Sequence, residues 1–233
     1  MATPKIKLTY FDGPGRAEPA RLAFALGKIP FEDERLKPEE FAAMKKDLPL
    51  GQVPVLAVGD DIVVTQSHAI ARYAAKLANL VPEDPIEALK ADEIVSCSEE
   101  LLNNLIASMK LPDEERLAAR KQAFGPGGKG ATAIQYFEKL ITSDSKFALG
   151  DEITIADLFV HFHVALLKSN FFDGLNGDDY TPETLPSHFK IVDAIKADPR
   201  LAEYFEEREK AEKAKAEAEK AKAEVDESSN ADA

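Results

Sequence analysis

Apolar and polar residues alternate with a period of two over residues 5–11, a pattern typical of a β-strand, and three further short stretches of the first 65 residues also predict strands. The predicted strands are residues 5–11, 31–36, 53–58 and 62–65. Apolar residues at helical spacing predict a helix that ends at Gly27, a second over residues 38–46 and a third over residues 67–77. The chain therefore begins with the element order βαβ, α, ββ, α.

A proline, Pro54, stands at the start of the third predicted strand. Proline cannot donate to the ladder of a central strand, so this position requires a special backbone arrangement. A cis Val53–Pro54 bond would supply one, and it would leave the Val53 backbone groups turned outward, able to pair with an extended peptide. The element order, with a proline at this place, is the layout of a thioredoxin-like domain.

After residue 82 the strand patterns end, and helix-period apolar residues continue through the second half of the chain. Thr154 and Asp157, three residues apart and ahead of an apolar run, predict a reciprocal helix cap. We expect an α/β plus all-α fold with three parts: a thioredoxin-like domain at residues 1–82, an all-helical bundle at residues 83–206 and a charged tail at residues 207–233.

The tail consists of Glu, Lys and Ala almost throughout residues 206–227, with many opposite charges four residues apart. This composition predicts a solvated helix that is polar all round, and we expect disorder from Asp226 to Ala233. Whether the tail binds a partner is left open by the sequence.

The net charge of −13 argues against binding to nucleic acid or to an anionic membrane surface. No stretch approaches the roughly 18 apolar residues of a membrane span, and the first residues lack the apolar core of a secretory signal. Cys97 is the only cysteine, which excludes a disulfide framework and fits a reducing compartment. We therefore expect a cytoplasmic protein.

Tyr10 lies between the first strand and the helix that follows it. Its hydroxyl could polarise a small ligand or could anchor the turn, and the segment alone leaves both interpretations open. The glycines after it do not form a dinucleotide fingerprint, because Glu18 replaces the third glycine. Residues 13–16 contain no cysteine where a thioredoxin-type enzyme would carry one, so any thiol in the chemistry must belong to a bound molecule.

Ser67 stands where the last strand gives way to a helix. It could cap that helix, or the helix N-terminus could hold a carboxylate group of a ligand. Arg16 and Lys45 lie in the same half of the chain and could bind further carboxylates. The histidines do not form a metal motif, since His161 and His163 are two apart on a predicted helix and point in different directions.

Five ordered motifs resemble those of the cytosolic glutathione transferases, most closely the sigma class, which includes the haematopoietic prostaglandin D synthases. The motifs are KLTYF at residues 7–11 with GRAE at 15–18, FEDER at 31–35, GQVPVL at 51–56, QSHAIARY at 66–73, and Gly150 with TIADL at 154–158. The similarity covers residues 5–206 and leaves the tail outside.

This resemblance implies that Tyr10 donates a hydrogen bond to the sulfur of glutathione and so stabilises its thiolate. Glu100 matches an acidic residue that reaches across a dimer interface, which implies a homodimer. The other implied contacts are the Val53 backbone with Pro54 at the cysteinyl part, Gln66 and Ser67 at the γ-glutamyl end, Lys45, Gln52 and Phe41 near the glycyl end, and Arg16 beside the sulfur.

The chain departs from the class at two positions. Phe41 stands where the class usually has a tryptophan that contacts the glycyl carboxylate, so one N–H donor is lost and weaker affinity for glutathione is expected. Ser96 replaces one carboxylate of the acidic cluster that binds a divalent metal in some prostaglandin synthases, and we expect no metal. The resemblance places the electrophile pocket at Phe11, Gly15, Leu102, Phe159 and His163.

The expected function is the conjugation of glutathione to small hydrophobic electrophiles. One alternative is a glutathione-dependent isomerase that acts on a prostaglandin-like endoperoxide and regenerates glutathione. Another is a non-catalytic binding or scaffold module that uses the charged tail as its contact surface.

Overall fold

A computed structural model describes residues 4–142, 144–169 and 171–231. The strands and α-helices follow one another as β1 (Ile6–Phe11), α1 (Glu18–Leu26), β2 (Glu32–Leu36), α2 (Pro38–Met44), β3 (Val55–Val58), β4 (Ile62–Thr65), α3 (Ser67–Leu77), α4 (Pro85–Ser108), α5 (Asp113–Phe124), α6 (Lys129–Leu140), α7 (Ile155–Lys168), α8 (Pro186–Lys196) and α9 (Ala202–Ala231). A 3₁₀ turn, Gly15–Ala17, leads directly into α1.

The first domain contains a four-stranded sheet in the order β2-β1-β3-β4. β1 and β2 are parallel, while β3 is antiparallel to both β1 and β4. The alternation in β1 buries Ile6 and Leu8, and α1 and α3 pack against each other. This arrangement confirms the thioredoxin-like prediction. β3 begins at Val55, one residue after Pro54, because proline has no N–H for the ladder.

The second domain is helical, as predicted, and α7 lies at its centre. Every residue from 155 to 164 is buried, and α7 packs against α4, α8 and α1. The predicted cap is confirmed: the Asp157 carboxylate accepts hydrogen bonds from the backbone N–H of Thr154 at 2.7 Å and of Ala148 at 2.7 Å. Within the described ranges, no helix is both long and apolar enough to cross a membrane.

The last helix, α9, contains most of the charged tail, and its first part contacts α1 of the first domain. The buried Glu18 of α1 accepts hydrogen bonds from Arg208 and from Tyr204 Oη, the latter at 2.9 Å, and both donors lie on α9. The expected boundary between residues 206 and 207 therefore falls inside one continuous helix.

The backbone of α9 is helical through Ala231, and disorder from Asp226 stays a prediction. Residues 232 and 233, the end of the predicted disordered segment, lie outside the described residues.

Candidate active site

Tyr10 lies near the end of β1, and its hydroxyl faces the turn that leads into α1. Tyr10 Oη accepts a hydrogen bond from the Arg16 backbone N–H at 3.1 Å. Within the described part of the chain, no acceptor is placed for the phenol proton. The backbone thus holds the oxygen of Tyr10 through a lone pair and leaves its O–H free to donate to a ligand.

Gly15 makes room for this hydroxyl. Its φ of +43° lies in the left-handed region, and a Cβ at this position would stand 2.5 Å from Tyr10 Oη. Any side chain here would displace the phenol or the turn, so glycine is required for both backbone and steric reasons.

The Arg16 side chain reaches from the turn before α1 to α4 of the second domain. Arg16 Nη1 lies 3.0 Å from each carboxylate oxygen of Glu99, and Nη2 lies 2.9 Å from Asn103 Oδ1. Both partners lie on α4, four residues apart and therefore on one helix face. Sequence reasoning did not identify this contact, although the spacing of Glu99 and Asn103 was a usable signal for a shared partner.

His68 is a second residue of the site that sequence reasoning missed. Its Nε2 lies 3.2 Å from Glu99 Oε2, and its ring stacks on Phe159 with centroids 5.1 Å apart and planes 21° apart. Burial lowers the pKa of the His68 imidazole; Glu99 opposes this change, and the guanidinium groups of Arg72 and Arg16 add to it. At neutral pH the ring is therefore uncharged.

An unpaired backbone edge lies ahead of β3. The Val53–Pro54 bond is cis, as predicted. In the part of the chain that the structure describes, the Val53 N–H and C=O make no backbone hydrogen bond. These groups are available to a peptide-like ligand laid antiparallel to this edge. Gln52, next to them, is exposed.

The start of α3 differs from the prediction. Ser67 is the first helical residue and Gln66 is the N-cap, so the alternative in which Ser67 caps α3 is wrong. Gln66 has φ +76° and ψ +105°, a backbone conformation that is uncommon for a residue with a side chain. The Gln66 side chain does not cap the helix, so among the described residues the first N–H groups of α3 are available to an anionic group.

Phe41 and Lys45 lie together at the edge of the site. The Phe41 ring makes an edge contact with Phe11 at 5.0 Å, and Phe11 in turn contacts Tyr10 at 5.4 Å. Lys45 Nζ lies 5.8 Å from the centroid of the Phe41 ring. Phe41 therefore packs against the aromatic pair at the end of β1 and leaves Lys45 as the charged group nearby.

The predicted electrophile pocket is only partly assembled. Leu102 and Phe159 are buried, and His68 covers Phe159. His163 is wrongly assigned: its side chain is fully buried, stacks on Phe137 at 4.9 Å and has Nδ1 3.4 Å from His188 Nε2. α7 is covered on all sides, so a residue one turn after Phe159 faces the domain core.

Two further observations limit the site. Glu100 is exposed on α4, one residue beyond Glu99 and therefore turned to a different direction. Among the described residues, no group of three or more His, Cys, Asp or Glu side chains could hold a metal ion. That the protein uses no metal remains a prediction.

A cleft of about 640 Å³ lies between residues 12–14, β2 and α9. Charged groups on its two sides pair with one another: Arg35 lies 3.4 Å from Asp12 and 2.8 Å from Asp33, and Lys215 lies 3.9 Å from Asp12. Tyr10 does not line it. The chemistry described above therefore lies outside this cleft.

The fold combines a thioredoxin-like domain with a helical domain, and the site has a tyrosine where a redox enzyme would have a cysteine. Residues 6–76 match the family described as "Glutathione S-transferase, N-terminal domain", and residues 99–208 match "Glutathione S-transferase, C-terminal domain". The chain belongs to the glutathione S-transferase family, and it is an enzyme of that kind.

Individual relatives come from several classes of the family. The chain is 31% identical to a Schistosoma mansoni "Glutathione S-transferase class-mu 28 kDa isozyme", over 89% of this chain and 98% of the relative. It is also 31% identical to "Hematopoietic prostaglandin D synthase" of Gallus gallus, with the same coverage. The structure resembles "Fasciola hepatica sigma class GST" with a TM-score of 0.68 and 27% identity, over 88% of this chain and 97% of that one.

Proposed function

We propose that this enzyme conjugates glutathione to small hydrophobic electrophiles and that Tyr10 stabilises the attacking thiolate. The observation that carries the proposal is the Tyr10 hydroxyl, which is fixed by the Arg16 N–H and keeps its proton free. A hydrogen bond to a charged acceptor is stronger than one to a neutral acceptor, so the phenol favours the thiolate over the thiol. It lowers the pKa of the bound thiol from about 8.5 toward neutrality, and each unit corresponds to roughly 1.4 kcal/mol.

In this proposal the remaining site groups bind the rest of the tripeptide. In this proposal the γ-glutamyl carboxylate binds the uncapped start of α3 at Gln66 and Ser67, and the cysteinyl part pairs with the Val53 backbone beside Pro54. Lys45 and Gln52 take the glycyl carboxylate, with Phe41 as an apolar neighbour. Support comes from the open N–H groups of α3 and of Val53.

The electrophile lies in this proposal between the turn at Gly15 and the face of α4 that carries Leu102, against Phe11. An apolar wall on one side and the Arg16 guanidinium on the other would hold an aromatic substrate with an electron-poor ring. Phe159 packs against the His68 ring on the side of α7.

Kinetics of Tyr10→Phe test the proposal. We expect kcat/KM for glutathione and a chlorodinitrobenzene to fall roughly tenfold to a hundredfold, because a hydrogen bond to a charged group is lost. Tyr136→Phe is the matched control, since Tyr136 is an exposed tyrosine on α6 that donates a hydrogen bond to Glu93 at 2.7 Å. A Tyr10→Phe enzyme as active as the control would overturn the assignment.

We also propose a homodimer of the sigma class, located in the cytoplasm. Large apolar side chains are exposed on the first domain and on α4, namely Leu50, Ile62, Val63, Ile86 and Leu89. Ile62 also lines an apolar cleft of about 160 Å³ between β3, β4 and α3. A second copy that covers this surface would remove it from water and would bring the exposed Glu100 to the partner's glutathione ammonium. Sedimentation that gives the monomer mass at micromolar concentration would contradict the dimer.

The similarity to the chicken prostaglandin D synthase supports a second candidate, glutathione-dependent isomerisation of an endoperoxide. In that reaction glutathione is regenerated, whereas conjugation consumes one glutathione for each product. Measuring glutathione loss against product formed, with each substrate type, distinguishes the two reactions.

A further inference from the structure

Arg21 of α1 is a buried cation beside the tyrosine of the site. Its side chain is 0% exposed, and its guanidinium carbon lies 5.7 Å from the centroid of the Tyr10 ring, within the range of a cation–π contact. Burying a charge costs free energy unless its donors are satisfied by hydrogen bonds. The groups that accept from Arg21 therefore identify what this side chain holds in place.

The acceptors of Arg21 lie on β2 and on the backbone that follows Tyr10. Nε donates to Asp33 Oδ1 at 3.0 Å. Nη1 donates to the Gly13 carbonyl at 2.5 Å, and longer hydrogen bonds of 3.4 Å reach the carbonyls of Phe11 and Pro14. The planar guanidinium thus joins the sheet on one side to three carbonyls of one short segment on the other.

This segment, residues 11–14, is the link between β1 and the turn before α1. It begins directly after Tyr10 and ends two residues before Arg16, whose backbone N–H donates to Tyr10 Oη at 3.1 Å. Gly13 adds backbone freedom to the segment, and Pro14 has no N–H to donate. Bonds from a buried side chain can therefore determine the shape of this segment and, through it, the position of the Tyr10 hydroxyl.

We propose that Arg21 is a positioning residue of the transferase site, which holds residues 11–14 in the shape that presents the Tyr10 hydroxyl to the sulfur of glutathione. This inference rests on the proposed function. Arg21 touches neither glutathione nor the electrophile in this scheme, and its effect reaches the sulfur through Tyr10.

Arg21→Lys separates the fork of donors from the positive charge. Lysine keeps the charge but carries its donors on one nitrogen, so it cannot bind Asp33 and three carbonyls with the planar geometry of a guanidinium. Asp33 stays paired in the variant, because Arg35 lies 2.8 Å from its other carboxylate oxygen. The loss therefore falls on the backbone segment and not on an unpaired carboxylate.

Arg120→Lys is the matched control. Arg120 of α5 has a side chain that is 2% exposed, donates to the Asp173 carbonyl at 2.8 Å and lies over the Phe172 ring at 5.2 Å. Its carboxylate partner, Asp173, is also held by a second arginine, Arg116, at 2.8 Å. All these partners lie in the second domain, so an effect shared by both lysine variants is a general effect of changing a buried arginine.

We expect Arg21→Lys to lower kcat roughly fivefold and to raise the pKa of the bound glutathione thiol by about half a unit, since hydrogen bonds that fix the Tyr10 donor are lost. The KM for glutathione should change by less than about twofold, because the effect falls on the thiolate and not on the binding of the tripeptide. Arg120→Lys should leave the thiol pKa unchanged even if it lowers the melting temperature as much. Titration of enzyme saturated with glutathione reports the folded, liganded protein, so a loss of stability alone does not shift it.

A double substitution tests the route through Tyr10. In a Tyr10→Phe background, the further change Arg21→Lys should leave the thiol pKa of bound glutathione unchanged, because the hydroxyl that Arg21 positions is absent. A shift of the same size in that background would overturn the inference. If Arg21→Lys does not fold, Asp33→Ala takes its place: it frees Arg21 Nε from β2 and should raise the thiol pKa by a smaller amount, and no shift would again overturn the inference.

Carbon NMR of ring-labelled tyrosine supplies a readout that needs no activity. The chain has five tyrosines, and Tyr10→Phe identifies the Tyr10 signal. In the protein without glutathione, Arg21→Lys should shift this signal and Arg120→Lys should not. Equal thiol pKa values for the two lysine variants, or a Tyr10 signal that does not move, would overturn the inference. If instead Tyr10→Phe keeps full activity while Arg21→Lys still shifts the Tyr10 signal, the proposed function fails and the hold of Arg21 on Tyr10 stands.

Discussion

Glu18 is a buried carboxylate whose hydrogen-bond partners, among the described residues, both lie on the last helix. Its side chain is 1% exposed, and its partners are Arg208 and Tyr204, both on α9. Arg208→Met keeps the length and packing of the side chain over the Tyr204 ring but removes the charge. Breaking a buried ion pair on one side costs about 3–5 kcal/mol, and the retained Tyr204 bond places the expected loss near the lower limit, about 3 kcal/mol.

The assay is equilibrium unfolding in urea, with the free energy of unfolding compared between variants. Lys213→Met is the matched control, because Lys213 pairs with Glu209 on the same helix with both side chains about two-thirds exposed, and we expect a change of less than about 0.5 kcal/mol. Adding Glu18→Gln to Arg208→Met should recover about half of the loss, since no buried charge is then left unpaired. An Arg208→Met protein as stable as the control, or a double variant no better than the single one, would refute the reasoning.

Three further predictions follow from the same geometry. Gly15→Ala should lower kcat/KM at least about tenfold with the far-ultraviolet circular dichroism unchanged, because its Cβ would stand 2.5 Å from Tyr10 Oη; near-normal activity would contradict this. Truncation after residue 217 should leave activity and stability intact, whereas truncation after residue 206 should destabilise the fold because it removes Arg208, the partner of Glu18. Equal stability of the two truncated proteins would contradict the stabilising contact between α9 and Glu18. The pKa of the Glu138 carboxyl is about 2: burial raises it, but hydrogen bonds from His188 and Ser187 lower it by more. Because this folded-state pKa lies below the unfolded value, the stabilisation that Glu138 provides is lost as pH falls from about 5 toward 2. The free energy of unfolding of Glu138→Gln should vary less over that range, and an unchanged slope would contradict the assignment.

Local patterns predicted the parts of the fold that local chemistry determines. The reciprocal cap at Thr154 and Asp157 needs only two side chains three residues apart, and β1 needs only the alternation around Leu8. The cis Val53–Pro54 bond followed from Pro54 itself, although β3 begins at Val55 and not at the predicted residue 53. In each case the interaction that forms the element lies within a few residues of sequence.

The errors have a different origin. The family resemblance placed His163 in the pocket, and a helix buried all round gives no periodic signal for which of its faces borders a cavity. The Arg16 contact with Glu99 joins residues 83 positions apart, and His68 enters it only because α3 and α4 meet there. Ser67 was displaced from the cap because Gln66 adopts a positive φ that its residue type does not indicate.

The measurement that tests the central claim most directly is the ultraviolet titration of the glutathione thiolate bound to the wild-type enzyme and to Tyr10→Phe. A hydrogen bond to the sulfur predicts a thiol pKa about 1–2 units below that of free glutathione in the wild type, and a value close to that of free glutathione in the variant. The claim is contradicted if wild-type enzyme saturated with glutathione leaves the thiol pKa at the free value, or if removal of the Tyr10 hydroxyl leaves a lowered pKa unchanged.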